Sequence, residues 1–291
     1  MRRLLAVVLA LASGAAGCCW LPGRGPGDRG PAGDARAAAG VPMPGQSIVL
    51  DVALIERPRG DAFLEQELWD LGNEQGVGLE TKPVLEENGL RVGQVGGLLP
   101  ARLQALLASP RTCPNPRRLR AEPEQPAPVA VGAVRPRLAF QAHEGGADRA
   151  VALADAHCFF EVTPTPEGER RLRLRFTPRI RHGKARVERR VEKDPDGSLH
   201  WAAEAREPTE EFPRLSWELT VGPDEYVLVG ARLDRPDTLG AAYFLGGGAR
   251  PTQKLLVLRA AHVAGGADET LSKAPPPLAL QATWTVRGSR P

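Results

Sequence analysis

Apolar residues along much of this chain recur at every second position. Leu215, Trp217, Leu219 and Val221 alternate with Ser216, Glu218 and Thr220, which makes one face apolar and the other wet, the pattern of a half-buried strand. Gly222-Pro223-Asp224 then turns the chain. Tyr226 to Ala231 and Lys254 to Ala260 are more continuously apolar, as expected of strands covered on both faces. The stretch from Leu215 to Ala261 therefore reads as four strands, with those two at the sheet centre.

Earlier in the chain the same alternation, through Ile48, Leu50, Val52 and Leu54, predicts a first strand ended by Pro58-Arg59-Gly60. Asp61 is placed to cap a helix whose apolar side carries Phe63, Leu64, Leu68, Trp69 and Leu71, so Trp69 is assigned to the core. Two further strands are expected, Gly78 to Leu85 and Leu90 to Val95. They are joined through Asn88-Gly89, a pair that tolerates positive φ and favours a hairpin turn. Pro100 to Leu107 closes the segment as a helix. The order strand, helix, strand, strand, helix makes a small α+β module over residues 47–109.

From Pro110 to Pro128 prolines are too frequent for a helix or a central strand, and the stretch reads as a linker or a surface loop at Cys113. Residues 129–291 then read as a mostly antiparallel β domain, a sandwich or an open sheet. One hairpin joins Cys158 to Val162 with Arg171 to Ile180 through a proline-rich turn. A second joins Lys184 to Glu192 with Ser198 to Arg206 around Asp194-Pro195-Asp196-Gly197. Alternation through Leu278, Leu280, Ala282, Trp284 and Val286 predicts a last strand.

The N-terminus changes the picture. Met1-Arg2-Arg3, the apolar run Leu4 to Leu11 and the small residues Ala15-Ala16-Gly17 before Cys18 have the three parts of a secretory signal over residues 1–18. The ending resembles a bacterial lipobox, whose cysteine is lipidated and becomes the mature N-terminus. That resemblance implies a lipid on Cys18, and Cys19 after it favours the periplasmic face of the outer membrane. An ordinary cleaved signal with two incidental cysteines is the other reading. Residues 19–46, rich in Gly, Pro, Ala and Arg, read as a disordered tether spanning roughly 30 Å end to end.

Composition narrows function by exclusion. The 291 residues carry 38 Lys and Arg against 35 Asp and Glu, a formal net charge of +3 with signs interspersed, which gives no reason to expect nucleic acid. An exported chain lives where disulfides form, so Cys113 and Cys158 are either bridged or two separate buried thiols. Arg171, Arg173, Arg175, Arg179 and Arg181 share one strand face at about 6 to 7 Å spacing, a candidate contact for an anionic polymer or lipid headgroups. Equally, they are a solvated face neutralised by cross-strand carboxylates such as Glu161, Glu188 and Glu192. Asp155 and His157 lack the further ligands a metal needs, and His143, His182, His200 and His262 lack zinc spacings. Gly246-Gly247-Gly248 has no following Lys-Ser or Lys-Thr, and reads as a turn. Pairs such as Glu210-Glu211 are too common in loops to indicate glycosidase chemistry. No catalytic, cofactor or metal site is expected.

Two parts of the chain are similar to bacterial secretins. The strand, helix, strand, strand, helix order resembles the small periplasmic modules that precede the secretin membrane domain and stack into rings. "FEVTPTPEGERRLRLRFTPRIRHG", Phe160 to Gly183, resembles that family's paired strands. "YVLVGARLDRPDTLGAAYF" followed by "QKLLVLRA" resembles its later glycine-bearing strand and closing apolar strand. Between Gly230 and Lys254 the family has a longer block with a Val-Pro and Ile-Pro-containing loop, where this chain has Asp234-Arg235-Pro236-Asp237 and Leu239 to Gly248. The resemblance implies a truncated secretin-like envelope protein, an assembly or accessory subunit working through protein contacts or self-assembly. The alternative is an envelope glycan-binding or hydrolytic β-sandwich with a site built on loops such as Gly145-Gly146 and Gly246 to Pro251.

Overall fold

Strand β1 (Ser47–Pro58) feeds two separate cores. Its even positions Ile48, Leu50 and Val52 join one buried cluster, and its odd positions Ala53 and Ile55 join another. A strand covered on both faces is the centre of three layers. The structure, a computed structural model, describes residues 47–168, 170–193 and 197–263. The expected lipidation site Cys18, the tether and the strand predicted at Leu278 to Val286 lie outside them.

After β1, Asp61 accepts the backbone N–H groups of Phe63 and Leu64 at 3.2 and 3.3 Å, the capping role its position implied. The π-helical turn Phe63–Glu67 runs directly into α1 (Leu68–Asp70). Then come α2 (Thr81–Glu87), β2 (Leu90–Gly96), α3 (Ala101–Ala108), β3 (Arg117–Ala121), β4 (Ala127–Ala130), β5 (Arg135–Glu144), β6 (Ala147–Glu167) and β7 (Arg171–Arg181). The remaining strands are β8 (Arg186–Lys193), β9 (Leu199–Arg206), β10 (Thr209–Glu211), β11 (Trp217–Val221), β12 (Glu225–Ala231), β13 (Leu245–Gly246) and β14 (Thr252–Val263), with α4 (Leu239–Phe244) before β13.

The first sheet has the order β2-β12-β14-β1-β3, with β13 on the end of β14. All its pairs are antiparallel, and β14 and β12 hold the central positions their continuous apolar runs predicted. The second sheet, β10-β7-β6-β4 with β11 on β7 and β5 on β6, packs against the face that carries Ile48, Leu50 and Val52. Phe160 is the hub between them, with ring centroids of Trp217, Tyr243, Phe244 and Phe176 at 5.3, 5.0, 6.1 and 6.3 Å. The π-helical turn, α1 and α3 cover the other face of the first sheet through Phe63, Leu64, Leu68, Trp69, Leu103 and Leu107. Trp69 is core, as expected. A Cβ at Gly93 or Gly230 would sit 3.3 or 3.2 Å from its ring, so these strand glycines make room for the indole. The fold is α+β and mostly antiparallel.

Four expectations fail. Gly78 to Leu85 is not a strand. Thr81–Glu87 is helical, with Leu79 88% exposed and Leu85 buried. Pro83 disqualifies a central strand but is tolerated in a first helical turn, where its missing N–H costs nothing. Asn88-Gly89 is accordingly a helix end and not a hairpin turn. Gly89, at φ 71°, donates its N–H to the Glu86 carbonyl at 3.0 Å. The stretch Leu215 to Ala261 does hold four strands, but not with turns alone between them: the helix α4 precedes the two-residue β13, and its residues Leu239 to Phe244 bury five of six with no alternation.

The fourth failure concerns domains. β1 pairs along its whole length with β14, and β2 pairs with β12, so the 47–109 segment and the C-terminal strands complete one sheet. Residues 110–128 contribute β3, paired to β1, and no boundary falls there. β3 sits on the sheet edge, where proline-flanked strands are tolerated. Prolines also misplaced the end of β6. Pro164 and Pro166 pair with Leu174 and Leu172 inside the strand, beyond the point where β4 covers its other edge.

Candidate functional site

The arginine stripe lies on the outer face of the second sheet. Its charge is largely answered there. Arg173 reaches Glu167 at 2.6 Å, and the other Glu167 oxygen accepts the Thr220 hydroxyl at 2.7 Å. These two donors hold the Glu167 carboxyl below its ordinary value, the arginine first. Arg179 reaches Glu161 at 2.7 Å and Glu211 at 3.2 Å. Arg175 faces Glu218 in the β7–β11 register, and Arg171 faces Glu167 across β6. Arg181 lies over the Phe159 ring at 4.7 Å. Over most of its length the stripe is the cross-strand neutralised face; Glu161 plays the part assigned to it.

Beyond Arg181 the chain leaves the sandwich as the β8–β9 hairpin. This pair forms a two-stranded sheet of its own, with register from Arg186 opposite Arg206 to Lys193 opposite Leu199. Val187, Val191 and Trp201 share one face and are 69%, 47% and 72% exposed. At the hairpin root, Arg179, Arg181, Arg186, Arg206, Glu207 and Glu211 line a groove of about 850 Å³. Sequence reading counted the stripe along one strand, and so missed that two further arginines close on its end from the next hairpin.

The cysteines are not bridged. Cys113 belongs to the core beneath the helices, Cys158 to the core between the sheets, and both are free and buried. Burial pushes the Cys158 thiol up to about 12 and raises Cys113 as well, so neither is a thiolate nucleophile at neutral pH. Next to Cys158, the buried Tyr243 hydroxyl donates to the Arg179 carbonyl at 2.7 Å, with the Phe159 carbonyl at 3.2 Å, and burial raises its pKa. These groups tie α4 to the second sheet.

The remaining candidates are structural. Asp155 has φ 50°, a left-handed residue within β6 before the strand begins its pairing with β7 at His157. His143 Nδ1 lies 2.6 Å from Asp148. Among the described residues no group of three or more His, Cys, Asp or Glu is arranged to hold a metal ion. Gly246-Gly247-Gly248 ends β13 and turns towards β14, with Gly248 at φ 98°. A smaller cavity of about 260 Å³ beside Trp69 is lined by Arg91, Arg232, Asp234 and Gln253, with Arg91 held by Glu74 at 2.6 Å and Arg232 by Asp234 at 3.0 Å. Neither it nor the larger groove draws on Gly145-Gly146 or Gly246 to Pro251, the loops named for a ligand site. Among the described residues no helix is long and apolar enough to cross a membrane, which leaves crossing by strands untouched.

No family model matches the chain, and no curated protein matches it. Among solved structures, a cryoEM structure of the V. cholerae type IV competence pilus secretin PilQ is similar over 75% of this chain and 57% of that one, at 13% identity and a TM-score of 0.21. The chain thus spans less than two thirds of that protein. At that score the likeness carries no argument.

Proposed function

We propose that this chain is a non-catalytic subunit of the bacterial cell envelope that assembles with further copies of itself through the β8–β9 hairpin. It is lipidated at Cys18 and held by residues 19–46 at the periplasmic face of the outer membrane. In family terms it is a truncated secretin-like assembly subunit, the reading carried by the motifs at Phe160 to Gly183 and Tyr226 to Ala260. The observation that carries the assembly is the hairpin's exposed apolar face, with Trp201 72% exposed opposite Val191, and Val187 on the same face. A hairpin standing alone is marginal in water, and burying one such side chain contributes about 1.5–3 kcal/mol. Both hairpin edges also lack a strand partner among the described residues.

Charge order supports a second copy as the occupant. In the hairpin register the backbone pairs Arg186 with Arg206 and Glu188 with Glu204, positions of like charge. Laying β8 of one copy antiparallel to β9 of the next, two residues out of that register, sets Glu188 opposite Arg206 and Arg190 opposite Glu204. A shift of two keeps every residue on its own face. In a Cys19→Ser background, cysteines at Val191 and Ala203 come opposite each other between copies in the shifted register. Mild oxidation is expected to give a ladder of linked chains on a non-reducing gel, while Cys113 and Cys158 stay buried and silent. Monomer alone after oxidation would overturn the reading.

A further inference from the structure

The first sheet ends on β3, with no strand on its far side among the described residues. An open edge invites stray pairing, and neighbouring edges are guarded against it. On the other side of the same sheet, Asn73 exchanges both backbone bonds with Gln94 of β2, at 2.7 and 2.9 Å. In the second sheet β4 carries Pro128, which has no N–H to offer an incoming chain. The five residues of β3, Arg117 to Ala121, contain no proline. On the face towards the second sheet, Ala121 is buried in the core between the sheets, and Leu119 is only partly buried against it.

The course of the chain leads to this edge. β3 and β14 both run antiparallel to β1 and hence the same way as each other, and Val263 and Ala121 pair with adjacent residues of β1, Ser47 and Ile48. A chain that leaves β14 at Val263, passes β1 and β3 and turns back therefore comes to lie beside β3 and antiparallel to it. Three strand spacings are about 14 Å, and residues 264–277 span up to roughly 46 Å when extended. The β8–β9 hairpin lies towards the other end of β14. There β14 pairs with β13, which follows α4, and the Tyr243 hydroxyl of α4 donates to the Arg179 carbonyl near the end of β7 from which the hairpin leaves.

We propose that Leu278 to Val286 docks on the far edge of β3 of the same chain as a further antiparallel strand, with its apolar face turned to the core between the sheets. Leu278, Leu280, Ala282, Trp284 and Val286 share that face, and Gln281, Thr283 and Thr285 take the other. Starting the two strands together sets Leu278 opposite Ala121, Leu280 opposite Leu119 and Ala282 opposite Arg117, which extends the core past Leu119. The segment carries no charge. It meets this arginine-rich edge without repulsion, whereas β3 of a second copy would set arginine against arginine. The docking is independent of the hairpin contact between copies.

Hydrogen exchange read by mass spectrometry tests the edge. In the full-length protein in mild detergent, the β3 amides are expected to be protected as those of an inner strand. With a stop after Pro277 they should exchange about ten-fold faster or more, while β12 and β14 keep their protection. Crosslinking tests the occupant. In a Cys19→Ser background, Arg117→Cys together with Ala282→Cys should, on mild oxidation, give a linked 117–282 peptide in a chain that still runs as a monomer on a non-reducing gel. That variant decides the matter even if the shortened chain does not fold. Equal β3 exchange with and without the segment, no 117–282 link, or a link that joins two chains would overturn the proposal, the last by assigning the segment to a second copy.

Discussion

Trp217 and Trp201 sit on strands with the same alternation and have opposite fates. Trp217 is 2% exposed, stacked on Phe176 at 5.1 Å and edge-on to Phe160 at 5.3 Å. Trp201 is 72% exposed on a hairpin with no third strand among the described residues. Alternation says which side chains share a face. It does not say whether the chain itself supplies a cover for that face. Where it does, as at Trp217, the tryptophan holds the sandwich together; at Trp201 no described residue supplies that cover.

The sharpest way to break this comparison is in the core. Phe160→Ala should cost about 3–5 kcal/mol in urea denaturation, since the ring touches four others between the sheets. A loss below about 1 kcal/mol would mean the sandwich is not the rigid region. Asn88→Ala comes next, at about 2–4 kcal/mol. The Asn88 amide donates to the Val84 and His143 carbonyls at 2.9 and 2.8 Å and accepts the His143 N–H at 2.9 Å, so truncation strands buried groups on α2 and β5 together. Trp201→Ser, by contrast, should leave the stability of the isolated chain within about 0.5 kcal/mol of wild type, as for an exposed site.

The smallest effect is electrostatic and depends on pH. Arg173 and Thr220 lower the folded-state pKa of Glu167, so its contribution is present above the ordinary carboxylate value of 4.5 and is lost as pH falls through the depressed folded value. Glu167→Gln should therefore flatten the acid limb of a melting-temperature profile and leave the alkaline limb unchanged. Asp51 runs the other way. Burial raises its pKa against the pull of Arg118 at 2.8 Å, so its ionised form costs stability near neutrality and that cost eases as pH falls through the raised value towards 3.8. An acid limb that is identical in wild type and Glu167→Gln would remove the first assignment.

Much of the fold was legible because burial on one or both faces writes itself into alternation. β1, β2, β7, β11, β12 and β14 follow from that signal, as does the Asp61 cap. The failures come where one residue pair serves two backbones. Asn88-Gly89 accommodates positive φ in a hairpin turn or at a helix end, and only the packing of Leu85 decides between them. Gly240 was equally silent: a Cβ there would strike the Gly89 carbonyl, a contact between segments far apart in sequence. The interleaving of N- and C-terminal strands in one sheet is likewise a long-range fact, which periodicity cannot carry. At the hairpin root, the stripe was visible along one strand. Its end was not, because Arg186 and Arg206 reach the groove from two further strands paired to each other.

Native mass tests most directly whether the hairpin is a contact between copies. Full-length protein and the Val191→Ser, Trp201→Ser double variant, both in mild detergent, would be compared by light scattering. A large, defined oligomer is expected for wild type, and for the variant a monomer that still unfolds cooperatively. A monomeric wild type, or a variant that keeps the wild-type mass, would contradict that contact.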